Sequence, residues 1–273
     1  MNEMKKKAIL VENNMGEFPE FLRNRFESLF IPFQNRPLID WHLDELSKLG
    51  YESVSIFTNN FKLSSEQYVN GGIPWGIDAK FIYYGQNRKM VLKLISESDR
   101  YSRGDIYFMN DLSMNGKLQN PGLLDSLENF REFHMNTDHT NPTKISREAA
   151  EGVFSGIRSS FSFESNGGEQ HIGNYTSLAK NVQLTGVNWI GDYSVIDDSV
   201  ILKNTVVFPG TYIGRNLAFE NCIIYKNSII DFISGKEVFL EDPLLLSGTK
   251  NIFGEIPPKT KRKNNHIEFI LTK

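Results

Sequence analysis

Aliphatic or aromatic residues return at every sixth position through a long stretch of the C-terminal half of the chain. The series runs through Ile172, Leu178, Leu184, Ile190, Ile196, then, after a one-residue slip at Val200-Ile201, through Ile201, Val207, Ile213, Phe219, and, after a second slip, through Ile224 and Ile230. Glycine follows three of them, at Gly173, Gly191 and Gly214. A period of six belongs to neither an α-helix nor an alternating strand, and it predicts short strands stacked as a parallel β-helix.

The first half of the chain has a different pattern, in which apolar runs alternate with segments of helical spacing. It predicts strands at 8–11, 54–57, 80–84 and 106–109, and helices from Pro37 to Gly50, at 90–98 and at 122–135. Strands that alternate with helices indicate a parallel sheet covered by helices. In such sheets ligands bind outside the carboxyl ends of the strands, so we expect chemistry in the loops at 12–16 and 110–111.

These patterns divide the chain into four parts. We predict an α/β domain over 1–135, a linker over 136–170, a β-helix over 171–235 and a C-terminal tail or cap over 236–273. Within the tail, the apolar alternation at 266–271 suggests a strand that caps the coils.

Composition narrows the class of protein. The chain has 273 residues, of which 40% are hydrophobic and 23% charged, and its formal net charge is −3, so nothing attracts it to nucleic acid or to an anionic membrane. The sequence shows neither a membrane span nor a signal peptide, and we expect a cytoplasmic protein. The single cysteine, Cys222, cannot form an internal disulfide and fits a small core or interface position.

One phrase in the first half points to a family. The segment Phe33-Gln34-Asn35-Arg36-Pro37-Leu38-Ile39-Asp40-Trp41, followed by Leu49-Gly50-Tyr51 and Val54-Ser55-Ile56, resembles the early region of the sugar-1-phosphate nucleotidyltransferases, the nucleotide-sugar pyrophosphorylases. Many members of that family carry a C-terminal left-handed β-helix. The resemblance therefore implies a Rossmann-like, nucleotidyltransferase-type α/β domain followed by a left-handed parallel β-helix of hexapeptide repeats.

The resemblance assigns roles to particular residues. Pro32 and Pro37-Leu38-Ile39 match the family phrase, with Arg36 in the place of a lysine. Asp111 matches the aspartate that binds the catalytic Mg²⁺, although Asn-Asp also suits a simple turn after a strand. For the nucleotide phosphates, the resemblance implies Asn13, Gly16, Arg23 and Arg25, and the arginines fit surface positions equally well.

The same comparison reveals departures from the family pattern. A phosphate cradle needs several glycines, and only Gly16 remains in the segment 12–18, where Glu12 and Glu17 stand instead. The position of the pyrophosphate-facing lysine falls on Ser28. Pro121, where the helix that joins the two halves begins, comes ten residues after Asp111, so most of the family's sugar-binding section is missing.

The sequence is consistent with three functions. The first is a degenerate nucleotidyltransferase-like protein that acts as a regulatory or nucleotide-sugar-binding subunit. The second is an active minimal sugar-1-phosphate nucleotidyltransferase, and the third is a hexapeptide-repeat acyltransferase in which His171 is the general base, although His171 also fits a solvated linker. Because uncapped coils recruit partners, we expect a homo-oligomer through the β-helix or a catalytic partner subunit.

Overall fold

The computed structural model describes residues 6–12, 18–59, 63–84, 88–97, 104–110, 125–135, 147–161, 163–165, 167–249, 260–263 and 266–269. The chain divides into two units. The first comprises Met1–Ile31 and Arg36–Asn129, and the second comprises Pro32–Asn35 and Phe130–Lys273. The segment Pro32–Asn35 therefore groups with the C-terminal strands, although the sequence places it inside the nucleotidyltransferase-like phrase.

The elements follow one another with helices confined to the first half. The helices are α1 (Glu20–Arg23), α2 (Leu38–Lys48), α3 (Leu63–Val69), α4 (Arg88–Glu97) and α5 (Leu127–Met135), with 3-10 turns at Ser28–Phe30 and Asn70–Trp75. The first strands are β1 (Lys7–Val11), β2 (Pro32–Phe33), β3 (Arg36–Pro37), β4 (Ser53–Thr58), β5 (Asp78–Tyr83) and β6 (Asp105–Phe108).

The remaining strands are short and numerous. They are β7 (Arg147–Ala150), β8 (Val153–Ser155), β9 (Phe163–Ser165), β10 (Gln170–Ile172), β11 (Ser177–Leu178), β12 (Val182–Thr185), β13 (Asn188–Ile190), β14 (Val195–Ile196), β15 (Ile201–Lys203), β16 (Val206–Val207), β17 (Thr211–Ile213), β18 (Ala218–Glu220), β19 (Cys222–Tyr225), β20 (Ser228–Asp231), β21 (Glu237–Phe239), β22 (Leu246–Gly248), β23 (Thr260–Lys263) and β24 (His266–Phe269).

The first unit contains a four-stranded parallel sheet with the order β5-β4-β1-β6. All four strands predicted from the apolar runs are confirmed. Strand β1 lies in the middle and is buried from Ala8 to Val11, because a central strand covered on both faces requires apolar side chains in both directions. Ile9 and Val11 pack with Phe57 of β4 and with Val91 and Ile95 of α4. The parallel sheet places the ends of β1, β4 and β6 at one edge.

The second unit stacks its strands into three faces. The first face holds β8, β10, β13, β16 and β19, the second β11, β14 and β17, and the third β9, β12, β15 and β18, all paired in parallel. Gln170 lies opposite Asn188, 18 residues later, and equivalent pairs further on are 17 residues apart. The prediction of stacked six-residue repeats is confirmed as a β-helix-like run of coils.

The interior of the coils is a single apolar cluster. Its buried members are Val153, Ile172, Leu178, Val182, Leu184, Ile190, Ile196, Val200, Leu202, Val207, Ile213, Cys222, Ile224 and Leu246. The prediction for Ile201 is wrong, because 41% of this residue is exposed and Leu202 points inward instead. Leu184 pairs with Leu202, and Trp189 pairs with Val206, so the one-residue slip falls in the corner after Leu202.

Strands also occur in the segment predicted to be a linker. Strand β8 pairs with β10, and β9 pairs with β12, so the coils begin well before Ile172. The linker prediction for 136–170 is therefore wrong for its described part. The sequence pattern missed these strands because the segment is polar in composition and each strand is only three or four residues long.

Past β19 the chain stops coiling. Strand β20 turns back antiparallel on β19 and sets Ile230 opposite Ile223, so Ile230 is buried by a hairpin and not by a further coil. In the predicted cap, β21 pairs with β20 and β22 pairs with β17, both antiparallel. The predicted capping strand at 266–271 corresponds to β24, which pairs with β23.

Glycines stand where successive coils approach most closely. A Cβ atom added to Gly173 would lie 2.4 Å from Asp192 Oδ1, 2.5 Å from the Asp192 nitrogen and 2.8 Å from the Gly191 carbonyl carbon. Two of these atoms are backbone and cannot rotate away. The glycine that follows the inward isoleucine in the repeat is therefore required by the spacing between coils.

We predict that Gly173→Ala lowers the free energy of unfolding by about 2 kcal/mol, because the added methyl group overpacks the contact between two coils. Chemical denaturation monitored by circular dichroism measures the change. Gln183→Ala, at an exposed position of β12, is the control and should change stability by less than about 0.5 kcal/mol. Equal stability of the two variants would contradict the close-approach argument.

Candidate functional site

A buried carboxylate lies at the carboxyl edge of the parallel sheet. Glu12 follows the last residue of β1 and is only 5% exposed. One carboxylate oxygen, Oε1, accepts a hydrogen bond from the Ser28 hydroxyl. The other, Oε2, accepts one from the Thr58 hydroxyl and one, at 3.0 Å, from the backbone N–H of Asn59. Three donors from two segments of the first unit, Ser28 and Thr58-Asn59, therefore converge on one side chain.

The strands of the sheet position this carboxylate. The backbone N–H of Glu12 donates to the Phe57 carbonyl oxygen at 2.8 Å, which continues the pairing of β1 with β4 by one residue. The Tyr84 hydroxyl, just past β5, donates to the Glu12 carbonyl oxygen at 3.2 Å. Thr58 is the last residue of β4 and Ser28 the first of a 3-10 turn. The ends of β4 and β5 and the start of the 3-10 turn therefore all contact Glu12 at the end of β1.

The arrangement is suited to holding a carboxylate rather than a phosphate. All three groups that contact the carboxylate donate hydrogen bonds, which is the set that an anion at a sheet edge requires. Glu12 already uses them, and a phosphate placed about 4 Å away would be repelled by roughly 4 kcal/mol at an effective dielectric constant near 20. The hydroxyl of Ser28, which occupies the place of the family's lysine, is bound to this same glutamate.

Three predicted site residues, Asn13, Gly16 and Asp111, lie outside the described residues. The approach to Asp111 is described as far as Asn110, which is 3% exposed. The backbone N–H of Met109 donates to the Val11 carbonyl oxygen at 3.0 Å, so the chain that leaves β6 passes beside the end of β1. Nε2 of His42, on α2, lies 2.7 Å from the Met109 carbonyl oxygen.

The two candidate phosphate-binding arginines lie on or just after α1. Arg23 is the last residue of this helix and is exposed. Arg25 is half-buried, and its guanidinium donates to the Phe21 carbonyl oxygen at 2.8 Å. This bond holds Arg25 against its own helix.

Arg36, which replaces a lysine of the family phrase, is engaged by acidic residues of α2. Its guanidinium lies 2.8 Å from the Asp44 carboxylate and 4.0 Å from that of Asp40. Burial raises the pKa of Asp40 to about 6, although Arg36 and a hydrogen bond from Tyr68 act in the opposite direction. The positive charge is therefore balanced within the first unit.

His171 is neither solvated nor placed as a general base. It is 4% exposed, and its ring stacks 5.1 Å from Phe154 and 3.7 Å from Trp189, with the planes within 8° and 5° of parallel. Its Nε2 lies 3.1 Å from the Glu169 carboxylate. Burial lowers the pKa of His171 to about 3, despite this carboxylate, so the ring is neutral and serves as one layer of a stack on the first face.

A second buried histidine, His134 of α5, was not singled out in the sequence. Its Nδ1 lies 2.8 Å from the Phe130 carbonyl oxygen, and its Nε2 accepts a hydrogen bond at 3.1 Å from the Gln34 backbone N–H. These contacts fix the neutral form with the proton on Nδ1, and burial lowers the pKa of His134 to about 3. Trp189 donates its indole N–H to the His134 carbonyl oxygen at 2.6 Å.

The segment Pro32–Asn35 is held in the second unit by polar contacts of its own. The Gln34 amide donates to the Phe133 carbonyl oxygen at 2.7 Å. The Asn35 amide donates to the carbonyl oxygens of His171 and Ile190 at 3.1 and 3.0 Å, which bridges two successive coils. These residues of the family-like phrase therefore have a structural role, and only their spatial neighbours reveal it.

Cys222 also has a packing role. It is 3% exposed in β19 and belongs to the apolar interior of the coils, and burial raises its pKa to about 12. The expectation of a small core residue is confirmed. Its thiol is protonated at neutral pH and shielded from solvent.

The described residues do not provide a metal site. They contain no cluster of three or more His, Cys, Asp or Glu side chains arranged to hold a metal ion. Both Glu12 oxygens already accept hydrogen bonds from groups of the protein, which hold this buried carboxylate without a metal ion. Within the described parts of the chain, no helix combines the length and apolar character that crossing a bilayer requires.

Neither a scan against protein-family models nor a search of curated proteins yields a match to the chain.

We predict that Glu12→Ala lowers the free energy of unfolding by about 3 kcal/mol, because the buried hydroxyls of Ser28 and Thr58 and the N–H of Asn59 lose their acceptor. Urea denaturation of the two proteins measures the difference. Glu20→Ala, on the exposed side of α1, is the matched control and should cost no more than about 0.5 kcal/mol. A Glu12→Ala protein as stable as the control would show that the buried cluster contributes nothing.

We also predict that His171 makes stability dependent on pH. Its pKa is about 3 in the folded chain and 6.5 in the reference state, so the unfolded chain takes up the proton first. The contribution to stability is complete above pH 6.5 and is lost as the pH falls toward 3. At about pH 5 the loss is about 2 kcal/mol.

His171→Phe keeps a flat ring between Phe154 and Trp189 and should reduce the loss of stability between about pH 7.5 and about pH 5 by this amount. Phe154→Leu disturbs the same stack without removing a titrating group, and it should show the pH dependence of the parent protein. Identical pH dependence of His171→Phe and the parent would contradict the neutral, buried imidazole.

Proposed function

We propose that this protein is a sugar-1-phosphate nucleotidyltransferase-like protein that has lost catalysis and acts as a regulatory or nucleotide-sugar-binding subunit. In this proposal the first unit is a Rossmann-like domain and the coils of the second unit are left-handed. The observation that carries the proposal is the Glu12 carboxylate, which occupies the hydrogen-bond donors at the sheet edge where the nucleotide phosphates would bind.

The architecture supports the relationship to nucleotidyltransferases. A parallel sheet with the strand order β5-β4-β1-β6 is followed by a run of stacked coils, which is the order of parts that the resemblance implies. The strand that carries the expected metal ligand, β6, lies next to β1, so Glu12 and Asn110 follow neighbouring strand ends. An edge of this kind is the place where open α/β sheets bind ligands.

The chemistry of the family supports the loss of catalysis. Transfer of a nucleotidyl group needs cations and backbone donors that neutralise charge on the phosphates as pyrophosphate leaves. At this edge a lysine position is occupied by Ser28, and its hydroxyl is bound to Glu12. Of the arginines, Arg25 contacts the Phe21 carbonyl and Arg36 contacts Asp44. The negative charge of Glu12 at this edge therefore opposes nucleotidyl transfer instead of assisting it.

The buried environment of His171 gives no support to an acyltransferase. A general base must reach the proton that it removes and must have a pKa near the working pH. His171 is enclosed by two rings, and its pKa is about 3. As a regulatory subunit, the protein would assemble with itself or with a catalytic partner through the coils.

We predict that the protein releases no detectable pyrophosphate from any common nucleoside triphosphate mixed with hexose 1-phosphates and Mg²⁺, because the phosphate-binding edge carries a fixed negative charge. A coupled assay for pyrophosphate measures this, with an active pyrophosphorylase as the positive control. Turnover that is abolished by Asp111→Asn and retained by Asp125→Asn, an exposed position at the approach to α5, would overturn the proposal in favour of an active minimal enzyme.

A further inference from the structure

Each coil of the second unit turns three corners, and one residue at each corner has a left-handed backbone. The first corner leads from the first face to the second, the second corner from the second face to the third, and the third corner on to the next coil. The left-handed residues are Asn181, Ser199 and Asn216 at the second corner, and Gly167, Gly168, Gly186, Asn204 and Asn221 at the third. These small or asparagine residues are the types that tolerate positive φ.

The first corner departs from this rule. Its left-handed residues are Arg158, Tyr175, Tyr193 and Gly210, with φ of 54°, 54°, 58° and 68°. A large side chain at positive φ is unfavourable, and two tyrosines in this conformation on successive coils require a reason. Burial in the interior of the coils does not explain this conformation, because 39% of Tyr175 and 41% of Tyr193 are exposed.

The side chains at this corner form a regular column. The rings of Tyr175 and Tyr193 are 5.1 Å apart and within 2° of parallel. Arg158 lies on the coil that precedes the coil of Tyr175, and its guanidinium is 5.8 Å from the centre of the Tyr175 ring. Backbone hydrogen bonds between coils fix the column, from Tyr175 to the Ile157 carbonyl oxygen at 3.0 Å and from Tyr193 to that of Asn174 at 2.9 Å.

Asp192, the acidic residue next to Tyr193, does not face outward as a free charge. Its two carboxylate oxygens accept hydrogen bonds from the backbone N–H and the amide of Asn174, at 2.6 and 3.1 Å. The network continues from the Asn174 side chain to the Ile157 backbone N–H at 2.9 Å. The charge beside the column is therefore used to hold adjacent coils together.

The column stops at Tyr193. The next coil has Gly210 at this corner, and this residue has no side chain to continue the stack. Thr249 fixes the backbone here, since its N–H donates to the Gly210 carbonyl oxygen at 2.6 Å and its hydroxyl to that of Tyr193 at 2.8 Å. One strand further on, the hairpin turn after β19 presents Lys226, which is exposed, has a positive φ of 54° and lies with its ammonium 4.8 Å from the centre of the Tyr225 ring.

The first corner therefore presents, in order, a cation, two stacked rings and a glycine, and the hairpin turn one strand further on presents a second cation, Lys226. Adjacent strands of a sheet are about 4.8 Å apart, so the level of Gly210 has the thickness of one flat ring. A planar heteroaromatic ring can continue the stack on Tyr193, and an anionic group attached to it would meet the ammonium of Lys226.

We propose that the first corner of the coils binds a planar heteroaromatic ring that carries a phosphate, with the ring stacked on Tyr193 at the level of Gly210 and the phosphate paired with Lys226. The strained tyrosine backbones are retained because the rings form the binding platform. This site lies entirely in the second unit and does not depend on the function proposed for the sheet edge, whose test is pyrophosphate release.

AMP, adenosine and inorganic phosphate are the probes, titrated separately into the full chain while the tyrosine signals are followed by NMR. We expect AMP to bind with a millimolar or lower dissociation constant, adenosine several-fold more weakly, and inorganic phosphate more weakly still. Tyr193→Asn should weaken AMP and adenosine about tenfold or more. Tyr83→Asn, at an exposed tyrosine of β5, is the control and should bind like the parent.

Stability separates a binding role from a structural role of the column. Asparagine already occupies the equivalent position at the other two corners, so Tyr193→Asn relieves the backbone and should leave the melting temperature unchanged or higher. Lys226→Gln should bring the affinity for AMP down to that for adenosine and leave adenosine unchanged. Lys203→Gln, which removes an exposed lysine of β15, should alter neither affinity.

Several outcomes would overturn the proposal. These are no shift of any tyrosine signal with AMP at about 10 mM, equal affinities of Tyr193→Asn and the parent, and a lower melting temperature of Tyr193→Asn, which would mean that the column serves stability. Preference for a methyl glycoside over adenosine would assign the corner to a saturated sugar ring and would equally reject the heteroaromatic ligand.

Discussion

The spacing of one coil from the next governs the second unit. Backbone N–H groups donate to carbonyl oxygens 16 to 19 residues away, so every coil must approach its neighbours to strand distance along all three faces. This approach excludes a Cβ atom at Gly173 and fixes which side chains form columns. His171 lies between Phe154 and Trp189 for the same reason that Tyr193 lies over Tyr175. Packing, buried histidines and the proposed ligand platform all follow from one register.

In the first unit the decisive feature is electrostatic. A parallel sheet delivers the ends of several strands to one edge, where unpaired donors favour an anion. In this chain the anion is Glu12, whose carboxylate belongs to the protein itself and accepts bonds from Ser28, Thr58 and Asn59. The hydrogen-bond donors at this edge therefore have an acceptor within the protein, which stabilises the unit. The same carboxylate works against the binding of phosphates. The parallel sheet and the groups at its edge depend on different residues, so the fold alone does not determine what the edge binds.

The local pattern of hydrophobic residues predicted an element correctly wherever the element's own side chains decided its structure. The apolar run at 8–11 and the helix between Pro37 and Gly50 became β1 and α2, since a buried central strand and a capped amphipathic helix each leave a direct mark in the sequence. The six-residue period was equally readable. It failed at Ile201, where two adjacent aliphatic residues compete and only the pairing of Leu184 with Leu202 shows which one faces inward. The strands before Gln170 were missed because each spans only three or four residues in a segment of polar composition.

The sequence by itself determined the order of a parallel sheet and a stack of coils, because periods of hydrophobicity are local and the interior of each element must be apolar. It also contained the departures at Glu12 and Ser28. Only the tertiary structure decided that these two residues bind each other, that His171 is enclosed between rings, and that Tyr175 and Tyr193 form a column. The reason is physical: the ring contacts join residues 17 or 18 positions apart through the register of strands, Glu12 meets Ser28 of a 3-10 turn 16 positions away, and residue types alone do not specify such pairings.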